Sequence, residues 1–225
     1  MKQPEFVHTH GVMGSGKTLM AIQRAMTLDR RKTIYAITKP DEDTRAGQQI
    51  KTRFGEVTRP IDFITHPDDN LVEKTLSTLK EKEQRVRMGS VAHNLALIID
   101  EVNFMSVEQV QQANVLVNEH GLSVYTFGID TDFLGKPFAG SQAASTLADR
   151  SIELEADCYG WQDDGDCNNH ASYNARLIND VYIFQGEQVA INQEGEEDLD
   201  QEVITKYRSL CRACYNLAKL ESQQP

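Results

Sequence analysis

The eight residues Gly11-Val12-Met13-Gly14-Ser15-Gly16-Lys17-Thr18 fit the pattern G-x-x-x-x-G-K-S/T at every position. The pattern constrains the fold because it works only between a strand and a helix. Gly11, Gly14 and Gly16 let the backbone curl so that the N–H groups of the loop, Val12, Met13 and Ser15 included, face an anion. The N-terminus of the following helix adds positive potential. Lys17 then supplies a charge near the β- and γ-phosphates of a nucleotide, and Thr18 a hydroxyl for Mg²⁺. The flanks agree. Phe6 to His10 is a short strand candidate, and residues 17–29 carry apolar positions at helical spacing.

The rest of the first half alternates in the same manner. Thr33 to Thr38 and Ile61 to Ile64 predict strands, and residues 69–87 a helix with a charged outer face. Leu95 to Ile99 is continuously apolar, as in a strand covered on both faces. Ser106 and Gln109 form a capping box for a helix that Gly121 closes. Ser123 to Phe127 is the next strand. Such alternation predicts an α/β fold, a mainly parallel sheet with helices on both faces. After about residue 150 the texture changes, with short strands around 175–191 and a helix from about 203. The expected division is therefore 1–150 for the phosphate-loop unit and 151–225 for a smaller one.

Asp100 and Glu101 close the apolar strand. In phosphate-loop proteins an Asp here holds Mg²⁺ through its water shell. The second carboxylate either orients a water for hydrolysis or takes the proton of an acceptor hydroxyl. Both a kinase and a P-loop ATPase or motor accessory protein fit this pair.

Composition narrows the surroundings. The 34 acidic residues outnumber 23 basic ones. Residues 157–166 and 194–202 hold ten of those acids and no Lys or Arg. Clustered cations are what duplex binding needs, so a nucleic-acid partner is disfavoured. No apolar run reaches the roughly 20 residues of a bilayer span, and the first residues lack a signal-peptide core. The expectation is a cytoplasmic protein with no membrane partner. Cys158, Cys167, Cys211 and Cys214 all lie in the last third, which reads better as a metal site than as disulfides in a reducing compartment.

Taken together and in order, the motifs resemble the small, zinc-containing, tetrameric (type II) thymidine kinases from about residue 6 to about 216. Lys39-Pro40 with Asp43-Thr44-Arg45 looks like that family's Lys-Pro…Asp-x-Arg loop. Thr52-Arg53-Phe54-Gly55 is similar to its Ser/Thr-Arg-x-Gly element. Asp100-Glu101-Val102-Asn103-Phe104 matches Asp-Glu-x-Gln-Phe with Asn103 in place of Gln. Phe127 to Phe138 resembles the acceptor-pocket segment, and Leu147-Ala148-Asp149 the short element after it. Gly186-Glu187-Gln188-Val189 looks like the start of the lasso that closes over thymidine. Tyr207 to Tyr215 resembles the Tyr-x-x-x-Cys-Arg-x-Cys/His-Tyr ending.

The resemblance implies a kinase that moves the γ-phosphate of ATP to the 5′-hydroxyl of thymidine, and of deoxyuridine as a second acceptor. It implies Glu101 as general base and Mg²⁺ held by Thr18 and Asp100. Gly11 to Thr18, Asp43, Arg45, Arg53, Asp100, Glu101, Val102 and Asn103 would bind ATP. Phe104, Ile129, Phe133, Phe138, Asn174, Gln188, Val189, Ala190, Ile191 and Tyr207 would bind thymidine, with Asn174 where the family often has Thr. Cys158, Cys167, Cys211 and Cys214 would hold structural Zn²⁺. A homotetramer with dTTP as feedback inhibitor is implied as well. The chain departs from the pattern in the wide Cys158–Cys167 spacing, in Asn192-Gln193 for a Gly pair, and in the acidic run before Tyr207.

Overall fold

The computed structural model describes residues 3–43, 47–52, 57–86, 94–162, 167–188 and 204–223. The chain divides into two compact units. The first comprises residues 1–10, 16–128 and 139–153; the second comprises 11–15, 129–138 and 154–225.

The first unit is built on six strands: β1 (Phe6–His10), β2 (Ile34–Pro40), β5 (Phe63–Thr65), β6 (Leu95–Ile99), β7 (Ser123–Gly128) and β8 (Arg150–Glu153). They form one sheet in the order β5-β2-β6-β7-β1-β8, and every pairing is parallel. The helices are α1 (Lys17–Arg30), α2 (Leu71–Val86), α3 (Val107–Asn118) and α4 (Ala139–Leu147). Strand alternation sends residues to two cores. Phe6, Ala36, Leu97, Ile99 and Val124 pack with Leu71, Leu79, Val110, Leu116 and Ala144 from α2, α3 and α4. Val7, Ile37, Ala96, Ile98 and Tyr125 pack with Ala21, Ile22, Ala25 and Leu28 from α1. Both faces are therefore covered, which is why Leu95–Ile99 reads as an unbroken apolar run.

Local chemistry sets the helix ends. Ser106 accepts from the Gln109 N–H, and the Gln109 side chain accepts from the Ser106 N–H, each at 3.2 Å. α3 stops at Asn118, and Gly121, at φ 68°, turns the chain so that the Leu122 N–H reaches Leu116 O at 3.0 Å. Four elements were not anticipated: α4, β8, and the two strands of the hairpin β3 (Gln49–Lys51) and β4 (Thr58–Pro60).

The second unit contains an antiparallel sheet of β9 (Tyr173–Ile178), β10 (Val181–Ile183) and β11 (Thr205–Leu210), ordered β10-β9-β11, followed by α5 (Arg212–Glu221). The helix expected from about 203 is corrected here. Thr205–Leu210 is a strand because β9 offers it a full antiparallel ladder, and helix starts only at Arg212, capped by Cys211. Asn179 and Asp180, both at positive φ, make the tight turn between β9 and β10. The core gathers Cys158, Ala175, Leu177, Tyr182, Leu210, Cys211, Cys214, Tyr215 and Ala218. No helix among the described residues is long and apolar enough to cross a membrane.

Candidate active site

In a wholly parallel sheet the strand carboxyl ends share one edge, and ligands of open α/β sheets bind there. In the first unit β1, β2 and β6 bring their sequence-predicted residues to that edge. β1 leads through the glycine loop to α1, whose cap, Gly16, lies at φ 89° and offers no side chain to the helix N-terminus. No acid stands in the first turn of α1, and Lys17 is buried. The helix start thus keeps its positive end for an anion. At Gly11 a Cβ would lie 2.4 Å from Leu154 O, so the loop admits no side chain there.

β6 delivers the two carboxylates. Asp100 is 3% exposed, and its N–H donates to Thr38 O of β2 at 3.0 Å. Glu101 sits at φ 54° and ψ 43°, in the left-handed region. Among the described residues the other non-glycine positive φ values belong to Lys32, just past α1, and to the Asn179–Asp180 turn. Those are ordinary places for it; a glutamate at a strand end is not, and such a conformation costs about 1–3 kcal/mol. The turn after Glu101 is what holds it. Val102–Phe104 is a single 3₁₀ turn in which Val102 and Asn103 are buried. Its tightness shows at two glycines. A Cβ on Gly128 would lie 2.9 Å from Asn103 Oδ1, and one on Gly140 2.3 Å from Val102 O. Phe104 follows, partly buried. Near the end of β2, Lys39 is 1% exposed and pairs with Asp43 at 3.2 Å.

The second unit holds the other predicted residues. Asp132 organises the 129–138 segment: its Oδ1 accepts from the N–H groups of Leu134 and Lys136, each at 2.8 Å. Ile129, Phe133 and Phe138 are buried. The Arg176 guanidinium lies 3.7 Å from the Phe133 ring centroid and donates to Gln185 O at 3.0 Å and Glu187 O at 3.5 Å. Gln188 donates to Pro137 O at 3.3 Å. Tyr207, partly buried on β11, stands opposite Arg176. Tyr215 donates to Phe133 O at 2.9 Å; burial, then the Asp132 charge, push its hydroxyl pKa up. Asn174 accepts from the Met13 N–H at 2.7 Å and donates to Thr131 O at 2.9 Å.

The four sulfurs of Cys158, Cys167, Cys211 and Cys214 lie within 4.8 Å of one another. Cys167 is 3.8 Å from Cys211 and 3.6 Å from Cys214. Thiolates about 2.3 Å from a tetrahedral zinc are about 3.8 Å apart, so the donor set fits Zn²⁺ in kind and spacing. Main-chain N–H groups already point at the sulfurs: Cys211 at Cys158 (3.1 Å), Gly160 at Cys158 (3.4 Å) and Cys214 at Cys211 (3.5 Å). Hydrogen bonds from Asn169, backbone first, pull the Cys167 thiol down to about 7, while burial pushes Cys158 and Cys214 up. His170 Nε2 lies 3.5 Å from a Glu155 carboxylate oxygen. The wide Cys158–Cys167 spacing does not prevent clustering, because the flanks pair with each other, Cys158 N–H donating to Asn169 O at 2.9 Å, and Tyr159 N–H donates to Ser209 O of β11 at 3.0 Å.

Arg45, Arg53, Val189, Ala190 and Ile191 lie outside the described residues. Ser209 and Arg176 were missed by motif reading. Their signal was register: they face Asn174 and Tyr207 across one ladder.

The profile of the thymidine kinase family matches residues 5–215. A thymidine kinase of Streptomyces avermitilis is 31% identical over 212 residues, covering 93% of this chain and 87% of that one. The thymidine kinase of Enterobacteria phage T4 is 28% identical over 212 residues, covering 93% of this chain and 94% of its own. That of Colwellia psychrerythraea is 30% identical over 203 residues, covering 89% and 91%.

Proposed function

The chain belongs to the thymidine kinase family, and on that premise we propose how its own residues carry the transfer of phosphate from ATP to thymidine. The observation that carries the reading is Glu101, held in a left-handed conformation beside buried Asp100 at the end of β6, in the same unit as Lys17 and Thr18. Strain retained at one carboxylate points to a task for that carboxylate.

In this reading Glu101 takes the proton of the thymidine 5′-hydroxyl as that oxygen attacks the γ-phosphorus. The bond to the β–γ bridging oxygen breaks, and ADP leaves with that oxygen. Proton removal assists, while positioning and charge neutralisation supply most of the acceleration in phosphoryl transfer. The loop from Gly11 to Thr18 grips the phosphates and Lys17 offsets their charge, with Arg45 or Arg53 as the second cation. Asp43, paired with buried Lys39, belongs to the ATP side of the site, and Val102 and Asn103 keep Glu101 in place. Thr18 and, through water, Asp100 would hold Mg²⁺, both being hard oxygen donors; when bound, it neutralises the β- and γ-phosphate oxygens. Phe104 in the first unit, and Ile129, Phe133, Phe138 and Tyr207 in the second, are the base contacts of this reading, with Gln188, Val189, Ala190 and Ile191 as its lasso contacts. Deoxyuridine, lacking only the methyl, is a second acceptor. Zn²⁺ on the four cysteines is structural. A cytoplasmic homotetramer inhibited by dTTP completes the reading.

The test is steady-state transfer from ATP–Mg²⁺ to thymidine, with E101Q and a no-acceptor control. The expected result is dTMP formation that falls about 10²–10⁴-fold in E101Q, the usual worth of a positioned base. ATP hydrolysis without thymidine, and no dTMP, would sink the reading.

A further inference from the structure

Two side chains facing each other on the small sheet both end on one residue of the phosphate loop. Asn174 on β9 and Ser209 on β11 are register partners, 2% and 1% exposed. Asn174 Oδ1 accepts from the Met13 N–H at 2.7 Å, and the Ser209 hydroxyl donates to Met13 O. The other end of the same amide donates to Thr131 O at 2.9 Å. The carbonyl oxygen and the amide nitrogen of Asn174 thus each have a main-chain partner. We propose that Asn174 is a positioning residue for the phosphate loop: with Ser209 it clamps the Met13 peptide and ties it to the 129–138 segment. This rests on the reading above for what the loop grips.

The physical need is plain. Met13 lies between Gly11 and Gly14, at φ 148° and 79°. Glycine on both sides leaves a loop with more freedom to lose than any other sequence, and a disordered loop aims no N–H groups at phosphate. A clamp on Met13, one of the two residues between them, reduces that freedom before nucleotide arrives, which lowers the cost of binding. An amide suits the task. It is planar and presents an acceptor to Met13 and a donor to Thr131 at once. A threonine would have to serve both partners from a single oxygen, whereas the amide offers two separate atoms. Asn174 therefore acts on the ATP side of the reaction, although its place in the sequence suggests a contact to the base.

Binding of ADP and of thymidine, each measured alone by titration calorimetry on N174A and S209A, separates the two roles. The expected result is ADP affinity lower by about tenfold in N174A, as for a part-buried N–H that loses this hydrogen bond, with thymidine affinity within about twofold of wild type. S209A moves ADP affinity in the same direction. The double variant loses less than the product of the two, because both act on one peptide. Weaker thymidine binding with unchanged ADP affinity would overturn the proposal and return Asn174 to the base. So would unchanged affinity for both ligands with a lower melting temperature, the mark of a purely structural residue. The ADP readout is independent of transfer. A wild-type chain that bound ADP yet made no dTMP would defeat the kinase reading and leave this one standing on its own numbers.

Discussion

Glu101 shows how much of the site resides in one residue's backbone. The adjacent carboxylates are legible in the chain because they end an apolar run. The left-handed conformation of the second is not, since nothing in Ile98-Ile99-Asp100-Glu101 favours positive φ. It comes from the buried turn Val102–Phe104, lodged against Gly128 and Gly140. E101G should therefore lose transfer while its melting temperature holds or rises, because glycine removes a penalty of about 1 kcal/mol at this φ. A fall in melting temperature of several degrees would show that the carboxylate stabilises the fold. Arg176 teaches the same lesson. Its guanidinium rests on Phe133 while its donors hold the chain at Gln185 and Glu187, and only register puts it there.

At the scale of elements the sequence was most readable where periodicity is local. β6, the α3 capping box and α1 follow from apolar spacing and from Ser106 and Gln109. The C-terminal region was less so, because the strand character of Thr205–Leu210 is decided by β9 beside it. Leu147-Ala148-Asp149 acquires a physical role only in the fold. The Asp149 N–H donates to Phe6 O at 2.9 Å, and Asp149 Oδ2 accepts from the Phe6 N–H at 2.8 Å. The end of α4 is thereby fastened to the first residue of β1, the strand that carries the phosphate loop. D149A strands the Phe6 N–H and should lower unfolding free energy by about 1–3 kcal/mol in denaturant titrations. ADP affinity is expected to stay within about twofold, since among the described residues Asp149 bonds to Phe6 and not to the phosphate loop. A loss of ADP binding with unchanged stability would contradict this role.

The described residues form two cores in the first unit and a smaller one in the second. The first unit buries a two-sided sheet. The second has a small apolar cluster in which three of the four cysteines are core residues and Cys167 packs against it. A cluster of that size gains much from a metal that joins Cys158 and Cys167 to the Cys211–Cys214 turn. The purified protein should carry about one zinc per chain, and C167S should lose it. Trp161, the chain's one tryptophan, packs on the same cluster and reports on that unit alone. Stripping metal with a chelator should shift its emission to the red. Metal-free protein with unchanged emission would show that the thiols suffice.

The chain by itself determined what depends on neighbours in sequence. It set the glycine loop, the alternation that yields a parallel sheet covered on both faces, the paired carboxylates and the four sulfur donors. Tertiary structure decided which distant groups meet. Met13 is clamped by Asn174, 161 positions away, and by Ser209, 196 positions away. The segments 11–15 and 129–138 pack with the C-terminal residues, and Glu101 is held in a conformation its own side chain disfavours. The reason is physical. Turn chemistry and side-chain periodicity act over a few residues. Hydrogen bonds between remote residues depend on strand register and chain path, which exist only once the whole is packed.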